Sequence, residues 1–129
     1  MNNFVIDAYA WIEYMEGSKL GEKVKEIIEN PNNSAYTNII TVAELSSQFK
    51  RKGFDGERMK RVIKSLSSFY EITFDFAEET GRLHAELKKV RKNISMADIF
   101  VLLTARKLNA KVVTGDEDFR GLKEVVMIK

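Results

Sequence analysis

Five carboxylates stand at, or one helical turn beyond, the ends of short apolar runs. Asp7 directly follows Phe4-Val5-Ile6. Glu44 falls in the first turn of the helix that follows a strand over residues 34–38. Asp98 falls in the first turn of a helix leading into the apolar run 111–114. Asp116 follows that run, with Asp118 two residues on. Carboxylates gathered in one place repel, and each is driven toward its neutral form. A divalent cation relieves that repulsion. Mg²⁺ and Mn²⁺ prefer oxygen ligands, and such a site can activate water and stabilise charge developing on a phosphodiester. One cation or two would suit this number of acids.

Composition narrows the chemistry in the same direction. The chain has no cysteine and a single histidine, His84. Thiolate zinc sites, thiol nucleophiles and disulfide frameworks are therefore excluded. So is a mechanism with one histidine as base and another as acid. His84 lies mid-helix, with no serine near it in sequence, and is expected to be an ordinary helix residue. Net charge is +2, so a case for nucleic acid must rest on where the charges sit. Hydrophobic residues at 44% are too many for a disordered chain.

The elements that must position these acids alternate. Strands are expected at residues 4–6, 34–38, 69–73, 111–114 and 125–128. Helices are expected from Asp7 to a stop at Gly17, and over 19–29, 41–52, 56–67, 75–92 and 95–109. Gly53 closes the third helix. Three crossovers would then hold two helices each. The pattern predicts one α/β domain over residues 1–129. It would be a three-layer α/β/α sandwich with a central, mostly parallel sheet of about five strands. Ligands in such sheets bind outside the carboxyl ends of the strands, where the five acids fall. No apolar run approaches the roughly 18 residues of a membrane span. The start MNNFVID lacks a basic region followed by an apolar stretch, so a cytoplasmic protein is expected.

Each acid also has a purely local reading. Thr41-Val42-Ala43-Glu44 and Ser95-Met96-Ala97-Asp98 both match the helix capping box. Asp7 suits an N-cap, Asp116 and Asp118 suit a turn, and Asp75 with Glu78 repeats the cap signature.

The segments V-I-D7-A-Y-A-W-I-E-Y, T-V-A-E44-L, S-M-A-D98-I and T114-G-D116-E-D118-F together resemble the four acidic motifs of PIN-domain nucleases. More narrowly, they resemble the VapC-type toxins of toxin–antitoxin pairs. The resemblance covers nearly the whole chain and rests on the ordered set. It implies a Mg²⁺- or Mn²⁺-dependent endoribonuclease. Asp7 and Asp98 would be principal metal ligands, Glu44 and Asp116 would complete the acidic pocket, and Thr114 would be a supporting hydroxyl. Asp118 would touch the metal indirectly or hold the loop. The same resemblance implies an RNA substrate, a VapB-type antitoxin peptide lying near the pocket, and a homodimer. The family also contains RNA-processing nucleases that are not toxins. A small upstream reading frame for a DNA-binding antitoxin would separate the two.

Basic residues cluster away from the acids. Lys50, Arg51, Lys52, Arg58 and Arg61 could meet a phosphate backbone, and equally could form a solvated helix face. Lys88, Lys89, Arg91 and Lys92 close the long helix in the same way. Tyr9, Trp11 and Tyr14 could stack on bases or pack in the core. Their helix is apolar nearly all round. It is thus either sandwiched inside the monomer or shared with a partner chain. A competing reading is a receiver-like phosphate-accepting domain, which shares the length, the α/β pattern and an aspartate after the first strand. It leaves Glu44 and Asp98 idle and finds only Lys129 beyond the last strand. Neither G-x-x-x-x-G-K-[ST] nor G-x-G-x-x-G occurs, which disfavours nucleotide-binding enzymes.

Overall fold

The computed structural model describes residues 2–129. Strands are β1 (Asn2–Ile6), β2 (Asn33–Asn38), β3 (Ser68–Tyr70), β4 (Lys111–Thr114) and β5 (Val125–Met127). Helices are α1 (Ala8–Glu16), α2 (Lys19–Ile28), α3 (Ile39–Lys52), α4 (Gly56–Leu66), α5 (Phe74–Lys88) and α6 (Met96–Leu108). A 3₁₀ turn at Glu117–Phe119 lies between β4 and β5. All four strand pairings are parallel, and the order is β3-β2-β1-β4-β5. The three two-helix crossovers occur as the alternation predicts. Among the described residues, no helix is long and apolar enough to cross a membrane.

Strand order decides where a ligand can sit. The chain steps outward from β1 to β2 to β3, then returns past β1 to lay down β4 and β5 on its other side. The direction of winding thus reverses between β1 and β4, and a crevice opens beyond their carboxyl ends. A receiver-like domain has the order 2-1-3-4-5, with β1 between β2 and β3. Here β1 lies between β2 and β4, which overturns that reading.

The alternation of side chains along a strand divides the core. Ile6 and Val113 point into one layer with Trp11, Met15, Val24, Leu45, Phe49, Met59 and Ile63, from α1 to α4. Val5 and Val112 point into the other with Ile99, Leu102 and Ala105 of α6. Trp11 is fully buried, and its indole N–H donates to Thr37 Oγ1 at 3.1 Å. Tyr14 donates its hydroxyl to Glu29 at 2.8 Å, and Ile12 packs against the same core. The apolar circumference of α1 is therefore largely spent inside the monomer.

Local boundaries differ from expectation at several places, four of them informative. Helix α3 starts at Ile39 because Asn38, the last residue of β2, caps it by accepting from Ile40 N at 2.8 Å. Thr41 then lies inside the helix, fully buried, and the capping box it was expected to form with Glu44 does not exist. Thr73, not Asp75, caps α5. That helix stops at Lys88, short of Lys92, where Lys89 N and Val90 N tighten onto Glu86 O and Leu87 O, three residues back. Strand β3 has three residues and ends at Tyr70, as an edge strand paired only with β2.

Candidate active site

Asp7 is where β1 becomes α1. Its Oδ1 accepts from Ala10 N at 2.9 Å, so the N-cap reading is correct. The same carboxyl opens onto the β1–β4 crevice, so one residue serves both ends. Its own amide donates to Val113 O at 3.3 Å, which ties it to β4. Thr114, fully buried, ends β4, and its Oγ1 accepts from Asp116 N at 3.0 Å. That leaves its proton for the Asp7 carboxylate, which it steadies in the ionised form. Asp116 Oδ1 accepts from Asp118 N at 2.9 Å and so shapes the 3₁₀ turn. Asp98 does form the capping box with Ser95. Its Oδ2 accepts from Ser95 N at 2.9 Å, and its amide donates to Ser95 Oγ at 3.1 Å. Only one of its oxygens is used by the cap.

These residues converge. Asp7, Glu44, Asp98 and Asp116 line one cleft of about 340 Å³, together with Tyr9, Gln48 and Lys52. Asp98, Asp116 and Asp118 each offer a carboxylate oxygen within 4.8 Å of the other two. Asp7 is outside that trio, deeper in the cleft, and is the only one of the five that is buried. Glu44 is the most exposed. Among the described residues, none of the five acids forms an ion pair.

The electrostatics follow from that lack of cationic partners. Burial pushes the Asp7 carboxyl up to about 7, against the hydrogen bonds from Thr114 and Ala10, with Asp116 and Asp98 adding repulsion. Glu44 is raised by loss of solvent and by the charges of Asp98 and Asp116. Asp98 is raised by burial and by Asp116 and Asp118, with the Ser95 hydrogen bonds opposing. A set of hard oxygen donors that repel one another and have no cationic side chain paired with them suits a divalent cation.

Two cleft residues were not anticipated as such. Gln48 is one helical turn beyond Glu44, and its Oε1 is buried without a hydrogen-bond partner. Lys52 is one turn further. Among the five basic residues named above it alone lines the cleft, with Nζ 5.9 Å from the Phe54 ring centroid. The i, i+4, i+8 spacing from Glu44 was the available clue. The rest of the basic cluster is dispersed. Arg58 donates to Met15 O at 3.1 Å, at the carboxyl end of α1, and Arg51 donates to Ser47 Oγ at 3.3 Å. Lys50 and Arg61 are exposed. His84 lies outside the cleft, with Nε2 3.3 Å from Ile94 O.

Tyr9 is the one aromatic of the first helix that reaches the cleft. A Cβ placed on Gly115 would come within 2.3 Å of its ring, so glycine between Thr114 and Asp116 is what lets the ring sit there.

The fold recurs in solved structures. A chain of a toxin–antitoxin complex from Klebsiella pneumoniae superposes with a TM-score of 0.74 at 24% identity, covering 97% of each chain. VapC20 of Mycobacterium tuberculosis, a sarcin–ricin loop cleaving toxin, superposes with a TM-score of 0.75 at 14% identity, covering 93% of this chain and 95% of that one. A chain of VapBC2 from Rickettsia felis, bound to a promoter DNA fragment, gives 0.73 at 17% identity, with coverage of 97% and 96%. No curated protein matches the chain. The model of the PIN domain family matches residues 4–125, and the chain belongs to that family.

Proposed function

We propose that this chain is a metal-dependent endoribonuclease and the toxin partner of a VapBC-type pair. The observation that carries the reading is the convergence of Asp7, Glu44, Asp98 and Asp116, from four separate parts of the chain, in one cleft without a paired cation. Membership of the PIN family supports it, as does the likeness to chains described as VapBC components.

In this reading Asp98, Asp116 and Asp7 would hold Mg²⁺ or Mn²⁺, with Asp118 close beside Asp98 and Asp116 and Glu44 on the cleft wall. When bound, such a cation supplies Lewis-acid stabilisation of the charge that develops on a phosphodiester under attack by water. The chain's own residues set the geometry. Thr114 orients the Asp7 carboxylate, and Ser95 holds one oxygen of Asp98 and leaves the other to the cleft. Lys52 offers a positive charge to the RNA backbone at the mouth, and the Gln48 amide offers hydrogen bonds to the nucleotide. Lys50, Arg51 and Arg61 extend the phosphate path over α3 and α4. Arg58 contributes less, because its guanidinium already holds the end of α1. The VapB-type antitoxin would restrain this activity in the cytoplasm, in a complex built on a homodimer.

The test is cleavage of labelled single-stranded RNA by the purified protein with Mg²⁺ or Mn²⁺. Activity is expected to vanish in excess chelator and in Asp98→Asn. Full cleavage in both would refute the reading. Whether a small reading frame for a DNA-binding antitoxin lies upstream, and whether its product co-elutes with this chain on size-exclusion chromatography, tests the partner.

A further inference from the structure

The turn that carries Asp116 and Asp118 is shaped from within by Asp116 N on Thr114 Oγ1 and Asp118 N on Asp116 Oδ1, and its Phe119 is buried in the core. It runs from Gly115 to Gly121, and its short helix is three residues long. Beside the packing of Phe119, an outside polar tie comes from Arg91, in the loop between α5 and α6. Arg91 Nη1 donates to Arg120 O at 2.8 Å and to Asp118 O at 3.3 Å. Gly121 has φ +91 and leaves room for the guanidinium, since a Cβ there would lie 3.3 Å from Arg91 Nη2.

The other end of this link reaches Asp98. Arg91 N donates to Leu87 O at 2.8 Å, and Arg91 O accepts from Ile94 N at 3.2 Å, so its backbone is fixed on both sides. Ile94 is 1% exposed, and the next residue, Ser95, binds Asp98 through the capping box. Only short hydrogen-bonded steps therefore separate Asp98 from Asp118 and Asp116. Among the described residues, Arg91 forms no ion pair, so its donors are spent on main-chain carbonyls.

We propose that Arg91 is a positioning residue for the metal centre, joining the Asp116–Asp118 turn to the Asp98 capping box so that the three carboxylates keep their mutual spacing. The inference rests on the metal-dependent reading given above. Groups behind metal ligands typically carry roughly 10–100-fold in metal affinity. The direction of the effect is diagnostic. Removing a nearby positive charge would by itself strengthen cation binding, because like charges repel. Removing a clamp weakens it.

Mn²⁺ binding, read by loss of the free-ion electron paramagnetic resonance signal, separates the two. Wild type, Arg91→Ala, Arg91→Lys and Arg120→Ala would be titrated with Mn²⁺, with folding checked by circular dichroism. Arg120 pairs with Glu117 on the same turn, so its removal subtracts a like charge without touching the clamp. Arg91→Ala is expected to weaken Mn²⁺ at least tenfold, Arg91→Lys by less, and Arg120→Ala not at all. Unchanged or tighter binding in Arg91→Ala overturns the proposal, as does an equal loss in Arg120→Ala. Should Arg91→Ala fail to fold, Arg91→Lys decides by the same criterion, because it keeps the charge and loses the forked donor. A wild-type protein that binds no Mn²⁺ refutes the metal-dependent reading itself, which is a different result from a wild type that binds and an Arg91 variant that binds equally well.

Discussion

Replacing Asp7 by asparagine is expected to remove catalysis and, in metal-free protein at alkaline pH, to make the fold more stable. Asp7 is 6% exposed and its carboxyl is pushed from an ordinary 3.8 to about 7, chiefly by burial. The folded protein therefore binds this proton more tightly than the unfolded chain does. Its stabilising contribution is complete below about pH 4 and is lost as pH rises through about 7. At about 1.4 kcal/mol for each tenfold change in proton affinity, ionised Asp7 costs the fold about 4 kcal/mol at pH 8.5. At pH 5 the carboxyl is mostly protonated in the fold, and the cost is under about 2 kcal/mol. Asparagine caps helices as well as aspartate and can still accept from Ala10 N. Its amide N–H₂ brings a desolvation cost of about 1–2 kcal/mol. The net gain is then about 2–3 kcal/mol at pH 8.5 and close to zero at pH 5. Urea denaturation in chelator at both pH values measures it. Equal effects at the two pH values, or a loss at pH 8.5, would refute the electrostatic account of this site. Adding Mg²⁺ should narrow the gap at pH 8.5, because only the wild type binds it tightly.

Other changes follow from neighbouring contacts. Lys52→Ala should weaken RNA binding and lower the slope of log affinity against log salt by about 1, measured by fluorescence anisotropy. Arg58→Ala should leave that slope nearly unchanged and lower the urea midpoint instead, since its guanidinium holds Met15 O. Thr41→Val should raise stability by about 1 kcal/mol in a urea melt, because Thr41 Oγ1 is buried without a partner. Gly115→Ala should cost about 1–3 kcal/mol by forcing the Tyr9 ring aside, and Tyr9→Ala should relieve most of that loss in a double-mutant cycle.

Much of this was legible in the order of the residues. Periodicity and helix stops placed all five strands and six helices within a few residues, because both are written in local spacing. The acids were legible too. Asp7 and Asp98 are cap residues, as their local patterns say, and a cap at the carboxyl edge of a parallel sheet already faces the ligand crevice. The misplaced boundaries were contests between near neighbours. Asn38 and Thr41 could both cap α3, and Asn38 won because β2 hands its last residue straight to the helix. The first helix read as apolar all round, and only packing showed that Trp11 and Met15 meet the sheet layer of their own chain while Tyr9 meets Gly115.

Types and order of the acids, and the capping roles of Asp7 and Asp98, were thus properties of the chain alone. Their meeting was not. It required β4 to pair with β1 and not with β3, a choice made by burying Val5 and Ile6, Val112 and Val113, on opposite faces of one sheet. That energy is summed over many distant residues and leaves no local signature. The same holds for Gln48 and Lys52 beside Glu44, and for Arg91 across from Asp118. Each depends on where a separate segment comes to rest, which short-range spacing cannot express.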